Sequence, residues 1–320
     1  MAQFDAFNGD ADGICSLVQL RLAYPCDSQL ITGVKRDIAL LKQVNASEGD
    51  KVAALDIAFE KNAADVTRLL EQGASVFYAD HHNPGELFEH PELTTHINTA
   101  PDTCTALIVD QLLGGKYHLW AITAAFGDNL TEVAQNLAEK ADLTEQETKT
   151  LQQLGVCINY NGYGSDLGDL FYHPKDLYQQ VAGFSTPFEF IEKNKAVFET
   201  LLNGYTQDMA SAADLAPFKE TSSTRVFMLP NEQWARRVSG VYGNDLANQA
   251  PNQAHAVITL KADGNYQVSV RAPLTNKTGA DTLVKQFPTG GGRKGAAGIN
   301  VLPADMLNEF IGAFERQYLV

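Results

Sequence analysis

The chain has 320 residues, 44% of them hydrophobic and 20% charged, a composition typical of a globular protein. This length exceeds one ordinary hydrophobic core and predicts two compact domains. A net charge of −15 argues against the class of proteins that coat duplex DNA through a broad basic face. No apolar run approaches the roughly 20 residues of a membrane-spanning helix. With no secretory signal pattern and no CxxC pair, we expect a cytoplasmic protein without membrane association.

The first half of the chain alternates short apolar runs with helix-like segments, the pattern of a parallel α/β sheet. The predicted strands are Gln3–Phe7, Gln29–Ile31, Val52–Leu55 and Ser75–Tyr78. The predicted helices between them are Ile14–Leu22, Asp37–Gln43 and Asn62–Gln72. Three of the strands lead directly into acidic residues or asparagine. Ligands bind at the carboxyl ends of strands in such sheets, so this edge is the expected site.

The chain is then mostly helical from about Thr103 to Leu154, irregular from Gly162 to Pro187, and helical again over Pro187–Leu202. A smaller mixed α/β domain then follows. Its predicted elements are strand Arg225–Met228, helix Glu232–Leu246, a hairpin of strands His255–Leu260 and Tyr266–Arg271 turning at Asp263-Gly264, helix Ala280–Phe287, a glycine-rich loop, a short strand and helix Ala304–Tyr318. The sequence therefore predicts domains at residues 1–185 and 222–320, joined by a linker at 186–221.

Four separated segments carry candidate metal ligands. They are Asp10-Ala11-Asp12, Asp56, Asp80-His81-His82 and Asp128. Carboxylates suit Mg²⁺ and Mn²⁺, and imidazole shifts the preference toward Mn²⁺. Two ions about 3.5–4 Å apart can generate a hydroxide and clamp a displacement at phosphorus. Each segment alone has a plainer interpretation, since Asp10 can cap a helix and the histidine pair can form an exposed turn. Their joint occurrence at strand ends favours a metal site.

These segments resemble the motifs of the DHH phosphoesterases, especially the subgroup with a C-terminal DHH-associated domain, which includes RecJ-type exonucleases and nanoRNases. Asp80-His81-His82 is similar to the tripeptide that names the family. Asp10-Ala11-Asp12-Gly13 resembles the first motif of the family, and Asp56 at its strand end resembles the second. Gly127-Asp128-Asn129 resembles the fourth motif. The resemblance implies an α/β fold with a parallel-sheet metal domain and a smaller mixed α/β substrate domain.

The resemblance also implies roles for single residues. One Mn²⁺ is expected on four ligands, which are Asp12, Asp56, His81 and Asp128. A second ion is expected on Asp10 and a bridging Asp56, with Mg²⁺ as the other possible metal. His82 is expected to face the substrate phosphate and Asp80 to orient His81, which makes Asp56, Asp80 and His82 the candidate catalytic residues.

Two positions depart from the family pattern. The family usually has histidine where this chain has Ala6, and RecJ-like members have aspartate where it has Asn8. Asn8 can offer an amide oxygen as a ligand, which is weaker than imidazole or carboxylate. The departures predict one tight and one weak ion site.

A glycine-rich segment near the C-terminus offers backbone N–H groups to an anion without Cβ obstruction. It contains Gly290, Gly291 and Gly292, followed by Arg293 and Lys294. A surface hairpin is the plainer interpretation. The segment resembles the GGGHxxAAG motif of the DHH-associated domain, with Arg293 at the histidine position. Within the resemblance, Arg271 matches a second substrate-binding arginine.

The motifs together predict a metal-dependent hydrolase acting on phosphodiester bonds of short oligonucleotides or linear dinucleotides. Small substrates are favoured because most of the chain is acidic and only residues 221–320 carry a small positive balance. Two alternatives stay open. One is a phosphoanhydride hydrolase acting on polyphosphate or a related compound. The other is a catalytically weak protein that binds a nucleotide or a nucleic-acid end, a view favoured by Ala6 and Asn8. A homodimer is one possible assembly.

Overall fold

The computed structural model describes residues 1–319, and the chain divides into two compact units, Met1–Tyr205 and Thr206–Val320. Over the described residues, no helix combines the length and the apolar composition needed to cross a membrane.

The first unit is built on a parallel five-stranded sheet with strand order β2-β1-β3-β4-β5. Its strands are β1 (Gln3–Phe7), β2 (Gln29–Ile31), β3 (Lys51–Leu55), β4 (Ser75–Asp80) and β5 (Leu93–Ile97). Alternate residues of these strands point to opposite faces, and both faces are buried. Phe4 and Val52 lie in one apolar cluster, whereas Phe7 and Leu55 lie in another. This two-sided burial explains the near-continuous apolar runs in the strands.

Helices cover both faces of this sheet. They are α1 (Ala11–Ala23), α2 (Phe59–Glu71), α3 (Thr105–Leu112), α4 (His118–Gly127), α5 (Thr131–Lys140), α6 (Glu145–Asn161), α7 (Pro174–Val181), α8 (Pro187–Lys193) and the first part of α9 (Lys195–Ala213). The division between the two units falls within α9, and Ala212 near its end packs in the second unit. Val66 and Leu69 of α2 fill the first cluster. Ile14 of α1, Trp120 of α4 and Leu151 of α6 belong to the second, larger one.

The register of the sheet places three strand ends side by side. Phe7 at the end of β1 pairs with Leu55 at the end of β3, and Leu55 pairs with Ala79 of β4. The residues that follow these strands therefore leave the same edge of the sheet together, which positions the site described below.

The second unit contains a six-stranded mixed sheet with strand order β10-β11-β9-β8-β7-β6. Its strands are β6 (Lys219–Glu220), β7 (Thr224–Leu229), β8 (Ala254–Leu260), β9 (Tyr266–Arg271), β10 (Gly290–Gly292) and β11 (Ala296–Leu302). Only β7 and β8 pair in parallel, and helix α10 (Gln233–Gln249) connects them. Helices α11 (Ala280–Val284) and α12 (Leu307–Gln317) complete the unit, and Phe310 and Phe314 of α12 are buried against the sheet.

Several predicted elements need correction. The helix predicted at Asp37–Gln43 is only a single 3-10 turn at Leu41–Gln43. Its backbone groups bond instead to Asn62, which accepts from the N–H of Leu41 and donates to the carbonyl of Ile38. Strand β5 was not predicted.

One further segment differs from its expected form. Gly290–Gly292 form an edge strand rather than a loop, because they pair antiparallel with β11. The predicted linker, residues 186–221, contains α8 and α9 where a helix was predicted over Pro187–Leu202, and Phe190 of α8 and Leu201 of α9 are buried in the larger apolar cluster of the first unit.

Candidate metal centre

The DxD turn after β1 presents two carboxylates with different surroundings. Asp10 is the N-cap of α1, and its Oδ1 accepts a hydrogen bond from the N–H of Gly13 at 3.1 Å. Asp12 is buried in the first turn of α1 and accepts the N–H groups of Thr105 and Ala106, both at 2.7 Å. These donors begin helix α3, where backbone N–H groups attract a negative charge. Asp12 is thereby fixed at the edge of the sheet.

Asp56 follows β3 in a left-handed backbone conformation, with φ of 58°. This region is uncommon for residues other than glycine and occurs preferentially at functional sites. The side chain is buried, and its Oδ1 accepts a hydrogen bond from the hydroxyl of Thr105 at 3.2 Å. The conformation turns Asp56 away from the strand direction and places its carboxylate beside His81.

His81 lies at the centre of three carboxylates. Its Nε2 is 3.8 Å from Asp12 Oδ2, 3.5 Å from Asp56 Oδ1 and 3.8 Å from Asp128 Oδ2. Its Nδ1 is 3.2 Å from the carbonyl oxygen of Thr103. Because a carbonyl only accepts, Nδ1 is the nitrogen that carries the proton in the neutral ring, which leaves Nε2 as the nitrogen that can ligate a metal. We call these residues, Asp12, Asp56, His81 and Asp128, the four-ligand site.

Two overlapping trios at this site, Asp12-His81-Asp128 and Asp56-His81-His82, bring their ligand atoms within 4.8 Å of one another and could hold a divalent cation. Burial, followed by the negative charges of Asp12 and Asp10, raises the pKa of Asp56 well above its ordinary value. Burial and Asp12 likewise raise the pKa of Asp128 to about 6. Crowded carboxylates of this kind are costly to ionise unless a cation compensates them. Three carboxylate oxygens and one imidazole nitrogen form a hard donor set suited to Mn²⁺ or Mg²⁺.

Asp80 contacts a different histidine from the one expected. Its Oδ1 is 2.7 Å from Nδ1 of His82, whereas His81 is held by the Thr103 carbonyl. The hydrogen bond to Asp80 raises the pKa of His82 above its ordinary value. His82 is half-exposed, with 40% of its side chain accessible, so its remaining ring nitrogen is accessible to a substrate. The buried carboxylate of Asp80, at the end of β4, therefore orients His82 and not His81.

The Asp10 side of the centre is occupied by a lysine. Lys35 Nζ lies 2.5 Å from Asp10 Oδ2, 2.8 Å from Asn159 Oδ1 and 3.6 Å from Asp128 Oδ1. Burial alone would lower the pKa of Lys35, but Asp10 raises it well above its ordinary value. The same ion pair holds the pKa of Asp10 below its ordinary value against the opposing effect of burial. The residues around Asp10 do not fit a second divalent ion.

Asn8, a candidate ligand on that side, forms its hydrogen bond through the amide nitrogen and not through the amide oxygen expected as the ligand. Its Nδ2 donates to the backbone carbonyl of Lys35 at 3.3 Å. Its Oδ1 is buried without a hydrogen-bond partner in the described part of the chain. Ala6, at the position of the missing histidine, is fully buried in β1.

Two cysteines lie close to Asp12. Cys15 of α1 and Cys104, the residue before α3, are both fully buried and unpaired. Burial, followed by the negative charge of Asp12, raises the pKa of each thiol well above its ordinary value.

The candidate anion-binding residues lie in the second unit. The chain reverses between β10 and β11, where the N–H of Arg293 donates to the carbonyl of Ala296 and the reverse bond also forms. Arg293 and Lys294 are exposed at this turn. Arg271 is directed to α10, where its guanidinium donates to Asn244 Oδ1 and to the carbonyl of Gly240.

Sequence reasoning missed three residues of the centre, which are Lys35, Thr105 and Asn159. Lys35 had a usable signal, because it follows the end of β2 as the other site residues follow β1, β3 and β4. Thr105 and Asn159 belong to helices α3 and α6 and carry no motif, so no sequence signal could have found them.

No family model matches the sequence, and no curated protein matches it significantly. Solved structures do match over nearly the whole chain. The DHH domain of a protein assigned to a family of ribosomal proteins has a TM-score of 0.67 at 12% identity, covering 99% of this chain and 86% of that chain. Exonuclease RecJ bound to manganese has a TM-score of 0.65 at 16% identity, and the match covers 98% of this chain and 89% of that chain. A pGpG-specific phosphodiesterase from Vibrio cholerae has a TM-score of 0.59 at 14% identity, and the match covers 99% of this chain and 98% of that chain.

Identities this low establish the fold alone. The parallel sheet of the first unit and the mixed sheet of the second agree with the α/β architecture expected from the sequence. The chain has the fold of the DHH-domain proteins, which confirms the resemblance seen in its motifs.

Proposed function

We propose that the chain is a divalent-metal-dependent phosphoesterase that hydrolyses phosphodiester bonds in short oligonucleotides or linear dinucleotides. The observation that carries the proposal is His81 Nε2, placed 3.5–3.8 Å from carboxylate oxygens of Asp12, Asp56 and Asp128. A structural ion pair has no need of three carboxylates that converge on one imidazole nitrogen.

The residues around the four-ligand site support hydrolysis at phosphorus. A bound Mn²⁺ would supply Lewis acidity toward a phosphate oxygen and lower the pKa of a water molecule. His82, oriented by Asp80, is accessible to the substrate and can donate a hydrogen bond to a phosphate oxygen. Hydrolysis forms one bond from water oxygen to phosphorus and breaks one P–O ester bond. One proton of the water ends on the released hydroxyl and the other is lost to solvent.

The likeness to two solved structures supports the substrate class. One of them is an exonuclease bound to manganese and the other is a pGpG-specific phosphodiesterase. In the second unit, we propose that exposed Arg293 and Lys294 hold an anionic end of the substrate, helped by the backbone N–H groups of Gly290–Gly292. Arg271 contributes to this role indirectly, because the hydrogen bonds of its guanidinium connect β9 to α10.

The decisive experiment is a substrate panel with Mn²⁺ present or removed by chelation. The panel contains pGpG, pApA, short RNA, short DNA, polyphosphate and cyclic dinucleotides. We expect Mn²⁺-dependent release of mononucleotides from the linear dinucleotides and short oligonucleotides. Cleavage of polyphosphate alone would replace the proposal by a phosphoanhydride hydrolase. Binding of the nucleotides without turnover would identify a sensor or partner subunit.

Arg293→Ala tests the contribution of the second unit. A charge-assisted hydrogen bond contributes about 1.5–3 kcal/mol, so kcat/KM should fall about ten- to a hundred-fold. Mn²⁺ content should stay unchanged, because Arg293 is in the other unit. Arg293→Lys should recover part of the loss, since an ammonium keeps the charge without the planar fork. Equal kinetics for Arg293→Ala and wild type would leave the segment as a structural hairpin.

A further inference from the structure

The carboxylates of the centre fall into two groups by the partners they already have. Asp10 is paired with Lys35 Nζ, and Asp80 is hydrogen-bonded to His82. The carboxylates that face Nε2 of His81 are those of Asp12, Asp56 and Asp128. Asp10 differs from Asp12 in the charge of its partners: Asp12 accepts two neutral backbone N–H groups, whereas Asp10 accepts the N–H of Gly13 and is ion-paired with the ammonium of Lys35.

Lys35 is held in place by its backbone as well as by its side chain. Its N–H donates to the carbonyl of Gly162 at 2.8 Å, and its carbonyl accepts from Asn8 Nδ2 at 3.3 Å. The preceding segment passes so close to the DxD turn that a Cβ on Gly9 would lie 2.0 Å from the carbonyl oxygen of Gly33. Only glycine at position 9 permits this approach. These backbone contacts fix Lys35 in the centre, so it is not a mobile surface cation.

The surroundings of the ammonium are those of a cation site. Carboxylate and amide oxygens from Asp10, Asn159 and Asp128 lie within 2.5–3.6 Å of Nζ. The ring of Tyr163 lies 5.7 Å away, within the range of a cation–π contact. These oxygens come from three separate elements and converge on one point beside the four-ligand site.

We propose that Lys35 takes the place of a second divalent ion, so that the centre binds a single Mn²⁺ next to a fixed ammonium. This inference rests on the proposed function for its chemistry. An ammonium has three N–H donors, and Asp10 and Asn159 accept two of them. The third can meet a phosphate oxygen of the substrate. Ala6 and Asn8 fit this arrangement. The ammonium of Lys35 needs no imidazole ligand at position 6, and the backbone carbonyl of Lys35 accepts a hydrogen bond from the side-chain amide of Asn8.

Counting bound Mn²⁺ tests the inference without any substrate. Equilibrium dialysis with elemental analysis, together with calorimetry, should give one Mn²⁺ per wild-type chain at saturation. Lys35→Ala and Lys35→Glu should each bind a second ion, because Asp10 loses its cation and, with glutamate, gains a neighbouring carboxylate. Lys35→Arg, which keeps the positive charge, should stay at one. The melting temperature of each variant, measured on the same sample, verifies that it is folded.

Lys42→Ala is the matched control, because Lys42 is exposed in the same unit and its replacement removes the same charge away from the centre. This variant should bind one ion. Two ions in the wild-type chain would overturn the inference and leave the proposed function intact. One ion in the wild type and in both Lys35→Ala and Lys35→Glu would also overturn it, since Lys35 would not be what excludes the second. No bound ion in the wild type would overturn the proposed function as well.

Discussion

Asp56 carries two costs that a purely structural residue would avoid. Its backbone has a φ of 58°, a region that non-glycine residues rarely adopt. Its buried carboxylate lies among other carboxylates, which raises its pKa well above the ordinary value. A cation bound to Asp56 would offset the electrostatic cost, whereas the backbone cost remains and fixes the direction of the side chain.

Replacing Asp56 by asparagine separates these two costs. Asparagine tolerates the left-handed conformation, so Asp56→Asn removes the charge with little backbone penalty. The metal-free variant should unfold at a higher temperature than wild type, because the repulsion with Asp12 and Asp10 is lost. Saturating Mn²⁺ at about 100 times its Kd should stabilise the wild type by about 2.7 kcal/mol and should leave the variant unchanged. Thermal denaturation with and without Mn²⁺ measures both effects.

Asp142→Asn is the control for this pair of measurements. Asp142 has nearly the same backbone conformation, with φ of 54°, but it is exposed in the turn between α5 and α6. The change there should alter neither the melting temperature nor its response to Mn²⁺. If Mn²⁺ stabilised Asp56→Asn as much as the wild type, Asp56 would not be a metal ligand.

At the scale of elements, two helices meet through glycines directly beside the centre. A Cβ on Gly155 of α6 would lie 2.0 Å from the carbonyl oxygen of Thr123 in α4. A Cβ on Gly127, the last residue of α4, would lie 2.7 Å from the carbonyl oxygen of Gly155. Asp128 follows Gly127 directly and caps α4. The position of Asp128, a proposed metal ligand, therefore depends on how closely α4 and α6 approach.

Gly155→Ala should force the two helices apart. Overpacking of this kind costs about 1–3 kcal/mol, and the shift of Asp128 should weaken Mn²⁺ binding at least about ten-fold, equivalent to about 1.4 kcal/mol. Denaturant unfolding and Mn²⁺ titration measure the two losses. Gly312→Ala in α12 is the matched control, because its Cβ would meet only the flexible Arg316 side chain at 3.2 Å. That change should stabilise its helix slightly, by about 0.5–1 kcal/mol. Unchanged Mn²⁺ affinity in Gly155→Ala would show that the helix contact does not set the ligand position.

The elements that the sequence predicted well are those determined by local pattern. Strands β1, β2 and β9 have the predicted bounds, because apolar runs between turn residues define them. The segment 37–43 was predicted as a helix and is not one, because its backbone hydrogen bonds go to Asn62, a residue outside the segment. Gly290–Gly292 form a strand through pairing with β11, which glycine content alone does not indicate.

For the whole molecule, the order of the motifs was sufficient to predict the fold. Strand ends in a parallel sheet meet at one edge, so Asp12, Asp56 and His81 could be placed together from the sequence. What could not be predicted is the set of contacts between distant segments. Lys35 reaches Asn159 across 124 positions of the chain, and Asp12 accepts the N–H of Thr105 across 93. The sequence thus predicted that the candidate ligands lie at one edge of the sheet, but it did not predict the contacts from distant segments that orient them.

The pH range in which the whole chain stays folded depends in part on His255, a fully buried residue of β8. Burial, followed by the positive charge of Arg225, lowers the pKa of His255 to about 4. Arg225 and Arg271 are its register neighbours on β7 and β9. An unfolded imidazole titrates near pH 6.5, so between about 6.5 and 4 the unfolded chain binds a proton that the folded chain does not. The stabilisation is therefore complete above about pH 6.5 and is lost as the pH falls toward 4.

His255→Leu should remove this dependence. Relative to the variant, the wild-type chain should lose about 2 kcal/mol of unfolding free energy between about pH 7.5 and pH 5. Denaturant titrations at the two pH values give the difference. His90→Leu, at an exposed position, should show no such change. Parallel pH profiles for wild type and His255→Leu would mean that the imidazole is protonated in the folded chain or titrates normally.

The two buried thiols beside Asp12 bear on which metals the centre accepts. A thiolate is a soft ligand that attracts zinc and copper, and it is also the form of cysteine that peroxides attack. Because the pKa values of Cys15 and Cys104 are raised well above the ordinary value, both sulfurs stay protonated. Burial, together with the carboxylate of Asp12, therefore disfavours the thiolate form of the two sulfurs beside the candidate metal ligands, and with it both the binding of soft metals and oxidation at these sulfurs.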